Sequence, residues 1–374
     1  MSLRPQTLFS TIGILLSLFC LAARSGAQTV GGSLATAKQI QDMLVQRIDV
    51  QHKSDGIVVG VITKKAREVI SYGHFDRDDP RVPNGDTLFE IGSISKVFTS
   101  LLLSEMVLDG EVKLSDPISK YLPASIHAPS RSGKQITLLD LATHHSGLPS
   151  MPTNFVAYYS TQQLFEFLDH YQLTRDPGEK YEYSNVGVGL LGDLLALRAN
   201  TSYQTLLRTR ISAPLGMNST AVALTPEMKA NFTPGHHFRL EKADPWIVPA
   251  LEGAGGIRST VNDLLIFLAA NLGIIHTPLQ PAMKQMLSVH RRTATSGSLV
   301  ALGWHIATDQ GGIVLHDGQT YGYYSSIGFD VHRKIGVVIL SNSYVPTDDI
   351  LWRIFSYPLT APVEEHVGPP GFRP

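Results

Sequence analysis

The chain has 374 residues, 43% hydrophobic and 17% charged, a composition that excludes a disordered chain, a collagen-like repeat and a coiled coil. Lys plus Arg total 31 against 32 for Asp plus Glu, so no basic excess is available to hold nucleic acid by its phosphates. The length predicts one large domain or two closely packed ones, with enough chain to bury a sizeable core.

The opening segment reads as an export signal. Arg4 precedes an apolar run from Leu8 to Ala23, and Ser25-Gly26-Ala27 places small residues three and one positions before Gln28. The run is short for a membrane anchor, the competing reading. Cleavage after Ala27 is expected, which puts the mature chain in the periplasm or outside the cell. Cys20 is the only cysteine, and the bulky Phe19 before it argues against a lipoprotein. Its removal would leave no thiol and no disulfide. No later stretch is long and apolar enough to span a bilayer.

A helical pattern follows through Ala35 to Gln51, with Ile40, Met43, Leu44 and Ile48 on one face. Gly56 to Thr63 and Glu68 to Gly73 read as a hairpin turning at Lys64 to Arg67, and Thr87 to Ile91 as a short strand. Ile94 to Leu108 is strongly apolar and helical. Helical patterns then dominate to about Leu272: Leu138 to Thr143, Gln162 to Tyr171, Val186 to Arg198, Tyr203 to Ile211 and Asn262 to Leu272, separated by Pro- and Gly-containing loops. The end returns to strands at Leu302 to Ala307, Gly312 to His316, Tyr323 to Val331 and Ile335 to Ser341, with a last helix near Asp348 to Phe355. The economical arrangement is an α/β chain of the α+β type: one antiparallel sheet shared by the two ends, flanked by terminal helices, with an inserted all-helical domain. We expect the sheet domain at 28–110 and 290–360, the helical domain at 111–289, and a flexible tail at 361–374.

The strongest chemical signal is Phe89-Glu90-Ile91-Gly92-Ser93-Ile94-Ser95-Lys96. It puts Ser93 at a helix start, where backbone N–H groups are unpaired and the dipole is positive. Lys96, three residues on, shares its face. Alone, such a pair reads as a cap and a solvated lysine. Here Val97, Phe98, Leu101, Leu102 and Leu103 follow, and a lysine inside an apolar helix needs polar partners. Ser93 could then be a nucleophile whose proton passes through Lys96.

This string resembles the active-site signature of class C β-lactamases and the other penicillin-recognising serine hydrolases. The resemblance implies a β-lactamase/transpeptidase-like fold and acyl-enzyme chemistry on a β-lactam or a peptidoglycan stem peptide, with no cofactor. It implies a Tyr-x-Asn element, found as Tyr183-Ser184-Asn185. There Tyr183 would accept the Ser93 proton, its pKa lowered by Lys96, and Asn185 would hold Lys96 and the substrate amide. It also implies a third element on a late strand, matched by His316-Asp317-Gly318. The N–H of the next residue, Gln319, would complete an oxyanion hole with the N–H of Ser93. Taken singly, Tyr183-Ser184-Asn185 reads as a packed helix entry and His316-Asp317-Gly318 as a strand-end turn; their occurrence in family order separates the readings. The loop His144 to Pro149 and the stretch Gly253 to Thr260 with Asp263 carry further resemblance.

One departure stands out. Relatives carry Thr where this chain has Asp317, and an aspartate facing the cleft would repel a substrate carboxylate. It could instead point away or pair with Arg333; strand alternation decides. His316 also carries less charge than a lysine at neutral pH. These changes leave room for D-alanyl-D-alanine carboxypeptidase, endopeptidase or esterase action, or for a penicillin sensor that acylates without turnover. The His144-His145 and His236-His237 pairs lack metal-ligand spacing, so no metal is expected. No phosphate loop or dinucleotide fingerprint is present, and Asn200-Thr201-Ser202 and Asn218-Ser219-Thr220 read as surface turns rather than glycosylation sites.

Overall fold

The computed structural model describes residues 34–237 and 239–355. The expected signal segment, Cys20 and the expected tail lie outside the described residues. Eight antiparallel strands form the central sheet. They are β1 (Gly56–Ile62), β2 (Arg67–Gly73), β3 (His290–Arg292), β4 (Ser298–Ala301), β5 (His305–Ala307), β6 (Ile313–Gln319), β7 (Tyr324–Asp330) and β8 (Ile335–Ser341). Their order is β2-β1-β8-β7-β6-β5-β4-β3, so the two ends of the chain meet where β1 pairs β8, Ile57 opposite Ser341 and Ile62 opposite Gly336.

The strands β1, β7 and β8 are buried along their whole length, which is why β1 and β8 read as continuous apolar runs rather than as an alternating pattern. One face, with Ile57, Val59, Ile313, Val337 and Ile339, packs on the terminal helices α1 (Ala37–Val45) and, at the C-terminal end, Asp348–Phe355. The other face, with Val58, Val314, Ile327, Phe329, Val338 and Leu340, belongs to the core shared with the middle helices. Among these are α2 (Ser95–Leu108), α3 (Leu138–Ala142), α4 (Thr161–His170), α5 (Asn185–Arg198), α6 (Val261–Asn271) and α7 (Gln280–Ser288). A Cβ on Gly60 would meet Val261 Cγ1 at 2.5 Å, so the bare backbone of β1 lets α6 lie directly on the sheet.

The central helix α2 is enclosed on all sides from Ser95 to Ser104. Val97, Phe98, Leu101, Leu102 and Leu103 are fully buried, and each such side chain stabilises the fold by about 1.5–3 kcal/mol. No side-chain cap closes its start; a 3₁₀ turn at Gly92–Ile94 feeds it instead. That turn is held by the short antiparallel pairing of Phe89–Glu90 with Arg258–Ser259.

Three expectations need correction. The strand expected at Leu302 to Ala307 begins only at His305, because Gly303, at φ +70, turns the chain out of β4. The hairpin partners β3 and β4 and the helix α7 were not anticipated; β3 is three residues long and charged, too short to show a period. The strand expected to end at His316 runs on to Gln319, so the triplet His316-Asp317-Gly318 lies on a late strand, as the resemblance implied. No helix among the described residues is long and apolar enough to cross a membrane.

Candidate active site

Three distant stretches converge on Ser93. Its Oγ lies 2.8 Å from Lys96 Nζ and 2.7 Å from Tyr183 Oη. Lys96 is fully buried, and its nitrogen also donates to Asn185 Oδ1 at 2.7 Å and to the Ala254 carbonyl at 2.8 Å. The 3₁₀ turn Gly92–Ile94 supplies Ser93, and Lys96, three residues on, lies in the first turn of α2. The start of α5 supplies Asn185, with Ser184 as the N-cap, its hydroxyl accepting from Gly187 N–H.

Burial pushes the Lys96 amine well below its ordinary 10.5, with the Asp317 carboxylate opposing. Two of its three partners, Asn185 Oδ1 and the Ala254 carbonyl, can only accept. A neutral amine has two N–H donors and one lone pair, so it satisfies both acceptors and leaves the lone pair for the Ser93 hydroxyl. Tyr183 differs from expectation. Burial pushes its phenol well above 10.0, against the downward pull of the Ser93 hydrogen bond. The Lys96 nitrogen stands 4.8 Å from the Tyr183 ring centre, and burial acts on both groups against their charged forms, ammonium and tyrosinate.

The third element crosses close to Ser93. A Cβ on Gly318 would meet the Ile91 carbonyl oxygen at 2.1 Å and Ser93 N at 2.9 Å, and one on Gly92, at φ +47, would meet Gln319 N at 2.6 Å. Two glycines therefore allow β6 to pass against the Gly92–Ile94 turn. Thr320 N–H donates to the Tyr323 carbonyl at 3.1 Å, and in the alternating register Gln319, opposite Tyr324, turns its N–H away from β7. On that side β5 pairs only as far as Leu315, so the edge is open beyond it. The N–H groups of Ser93 and Gln319 thus occur on facing backbone segments.

Alternation also places Asp317. It lies on the face of β6 that carries Ile313 and Leu315, away from the core that contains Val314. Its carboxylate accepts from Tyr324 Oη at 3.3 Å, and the same hydroxyl donates to Asp348 at 2.6 Å. Burial, then the charge of Asp317, pushes the Asp348 carboxyl up to about 7. Arg333 is in the turn at the far end of β7, bonding the Phe355 carbonyl. His316 sits on the opposite face from Asp317, 2% exposed, and burial pushes it down to about 3. Its Nδ1–H donates to the Asp317 carbonyl at 2.5 Å, so it offers no positive charge to a substrate. Gln319's side chain turns the other way, to the Tyr344 carbonyl at 2.9 Å.

Sequence reasoning missed His144. Its carbonyl accepts Glu182 N–H at 2.8 Å, its Nδ1 accepts Ser184 N–H at 3.1 Å, and its ring stacks on Tyr183 with centres 4.5 Å apart. One residue thus grips three consecutive ones around Tyr183. It does so from the left-handed region, φ +59, which histidine tolerates better than bulkier residues. Burial, then Lys96, pushes its imidazole well below 6.5, so it is a neutral brace. Nothing local distinguishes it from His145. Replacing His144 with alanine should lower kcat by about 10- to 100-fold with little change in KM. His144→Asn, which suits the same backbone and can accept Ser184 N–H, should recover part of the loss. Equal losses in kcat and thermal stability for both variants would reduce the residue to a packing role.

A model of the Beta-lactamase family matches residues 37–355. The chain is 28% identical over 367 residues to a beta-lactamase of Escherichia coli strain K12, covering 87% of this chain and 95% of that one. It is 28% identical to the D-alanyl-D-alanine-carboxypeptidase/endopeptidase AmpH of the same strain, covering 81% and 83%. Among solved structures, the D-alanine carboxypeptidase AmpC from Burkholderia cenocepacia superposes with a TM-score of 0.74 at 27% identity, covering 86% of this chain and 99% of that one.

Proposed function

The chain belongs to the beta-lactamase family and is a serine hydrolase, and from that footing we propose that Ser93 opens the amide of a β-lactam through an acyl-enzyme. The observation that carries the reading is Ser93 Oγ within hydrogen-bond reach of both the Lys96 amine and the Tyr183 phenol. Ser93 Oγ attacks the carbonyl carbon while its proton passes to the neutral Lys96 nitrogen. The carbonyl oxygen, now an oxyanion, takes N–H donors from Ser93 and Gln319, each worth about 3 kcal/mol in the transition state. Tyr183, in contact with Ser93 Oγ, delivers a proton to the departing nitrogen as the C–N bond breaks and recovers one from Lys96. Asn185 keeps Lys96 aimed and presents its amide towards the substrate; Gly318 lets β6 lie against the turn that carries Ser93, which brings the Gln319 N–H to the site. A water then repeats the sequence on the ester, releasing the acid and restoring Ser93.

Two other acyl donors are supported by specific observations. The carboxypeptidase names of relatives at 27% and 28% identity support a peptidoglycan stem peptide ending in D-Ala-D-Ala. The neutral His316 leaves no cation beside Gly318 for a carboxylate, which supports esters that lack one. A side-by-side panel of a chromogenic cephalosporin, a D-Ala-D-Ala peptide and a short p-nitrophenyl ester tests all three. We expect cephalosporin turnover and a penicillin adduct that decays in mass spectra. A folded protein that turns over no cephalosporin ends the β-lactamase reading, and a persistent adduct makes the protein a sensor. Export to the periplasm or beyond is likewise our proposal, supported by the Leu8 to Ala27 segment, and a mature chain starting at Gln28 is its check.

A further inference from the structure

A surface groove of about 470 Å³ opens between the segment that leads into Tyr183 and the last strand of the sheet. One wall is Gly178 to Tyr181, and the other is Arg291 to Ala294. The groove reaches the catalytic residues through Tyr181, whose ring centre lies 5.8 Å from that of His144, the residue stacked on Tyr183. His145 lies at its floor, 6.0 Å from the same Tyr181 ring, and burial pushes it below 6.5, so it adds no charge.

The charges of this groove are uneven. Arg291 is held by Asp140 at 2.7 Å, and the Glu179 carboxylate is turned back to accept Asp176 N–H at 3.1 Å. Lys180 and Arg292 face the groove from opposite walls, both exposed, and neither has a carboxylate partner among the described residues. Two uncompensated cations therefore flank a channel on a chain whose overall formal charge is −1. The backbone adds a second feature. Thr293 N–H donates to the Ser298 carbonyl, and with Arg292 opposite Leu299 the alternating register turns the N–H and C=O of Arg292 to the outer edge of β3, which has no strand partner among the described residues.

We propose that this groove is a subsite for an extended peptide segment of the substrate that carries a carboxylate. The peptide main chain would run along the edge of β3, and the carboxylate would lie between Lys180 and Arg292. Contacts link the groove to the nucleophile step by step, from the Tyr181 ring to His144, from His144 to Tyr183 and from the Tyr183 hydroxyl to Ser93 Oγ. The inference rests on the acyl-transfer reading of Ser93 and deepens it, because it selects anionic peptides over small neutral donors.

The test uses a labelled D-Ala-D-Ala pentapeptide with Glu in its middle and a twin with Gln there. Binding to the Ser93→Ala protein is read by fluorescence anisotropy, so no turnover intervenes. The acidic peptide should bind roughly five- to tenfold more tightly at low salt, as expected for two exposed charge contacts, and lose the advantage at high salt. In Ser93→Ala protein that also carries Lys180→Gln and Arg292→Gln, the two peptides should bind equally. On otherwise unaltered protein the Lys180→Gln/Arg292→Gln pair should leave turnover of a small neutral ester unchanged. Equal affinities of the two peptides for the Ser93→Ala protein, or a preference that survives both substitutions, would overturn the subsite. Absence of any ester or cephalosporin turnover by the parent protein would instead overturn the acyl-transfer reading, and the anisotropy result would still decide the groove.

Discussion

Ser93→Ala should abolish hydrolysis of every acyl donor, lowering kcat by about 10⁴-fold or more, and should leave the thermal unfolding midpoint within a few degrees of the parent. The nucleophilic oxygen is the shared partner of Lys96 and Tyr183. Removing it deletes one atom from the middle of a 3₁₀ turn whose frame is the pairing of Phe89–Glu90 with Arg258–Ser259, so the fold has no reason to change. Penicillin should also leave no covalent adduct, read by intact-mass spectrometry. Turnover within tenfold of the parent, or an adduct on the alanine protein, would mean that the reaction uses another group.

Lys96→Met should cost about 10³- to 10⁴-fold in acylation and Tyr183→Phe about 10²- to 10³-fold, and their pH profiles should differ in kind. The amine works only when neutral. Its pKa is pushed below 10.5 by burial, so the free base is present at lower pH than an exposed lysine would allow, and the rate should fall as pH drops through that lowered value. The phenol is pushed up, so it stays protonated through neutral pH and serves as a donor. Tyr183→Phe should therefore keep the acid limb of the parent profile while losing rate at every pH. If the acid limb disappears with the phenol and survives Lys96→Met, the base is tyrosinate, as the family resemblance implied, and the burial argument is wrong.

These assignments separate what is local in the chain from what is not. The pair Ser93 and Lys96 was legible because a helix returns to the same face after three residues, and the apolar residues around Lys96 announced that it would be buried. Tyr183, Asn185, Gly318 and Gln319 were legible only as members of an ordered set of short motifs; taken one at a time each had an ordinary structural reading. Asp317 was undecided because one residue of register moves a strand side chain from one face to the other. The pairing of β6 with β7 puts it beside Tyr324 and Asp348, where a hydroxyl meets both carboxylates. Lys96's acceptor at Ala254 could not be read at all, since a backbone carbonyl has no identity in a sequence.

By itself, the sequence determined the central sheet's long strands, the buried helix and the pairing of Ser93 with Lys96, because each depends on residues within a turn or two of one another, and the order of the three motifs is a property of the chain alone. Tertiary structure alone decided that His144 braces Tyr183, that burial holds His316 far below the ordinary histidine range and acts against the charged forms of Lys96 and Tyr183, and that Lys180 faces Arg292 across a groove. Proton affinity and charge pairing depend on how many atoms replace water around a group and on which distant segments bring them, and neither is written in local spacing.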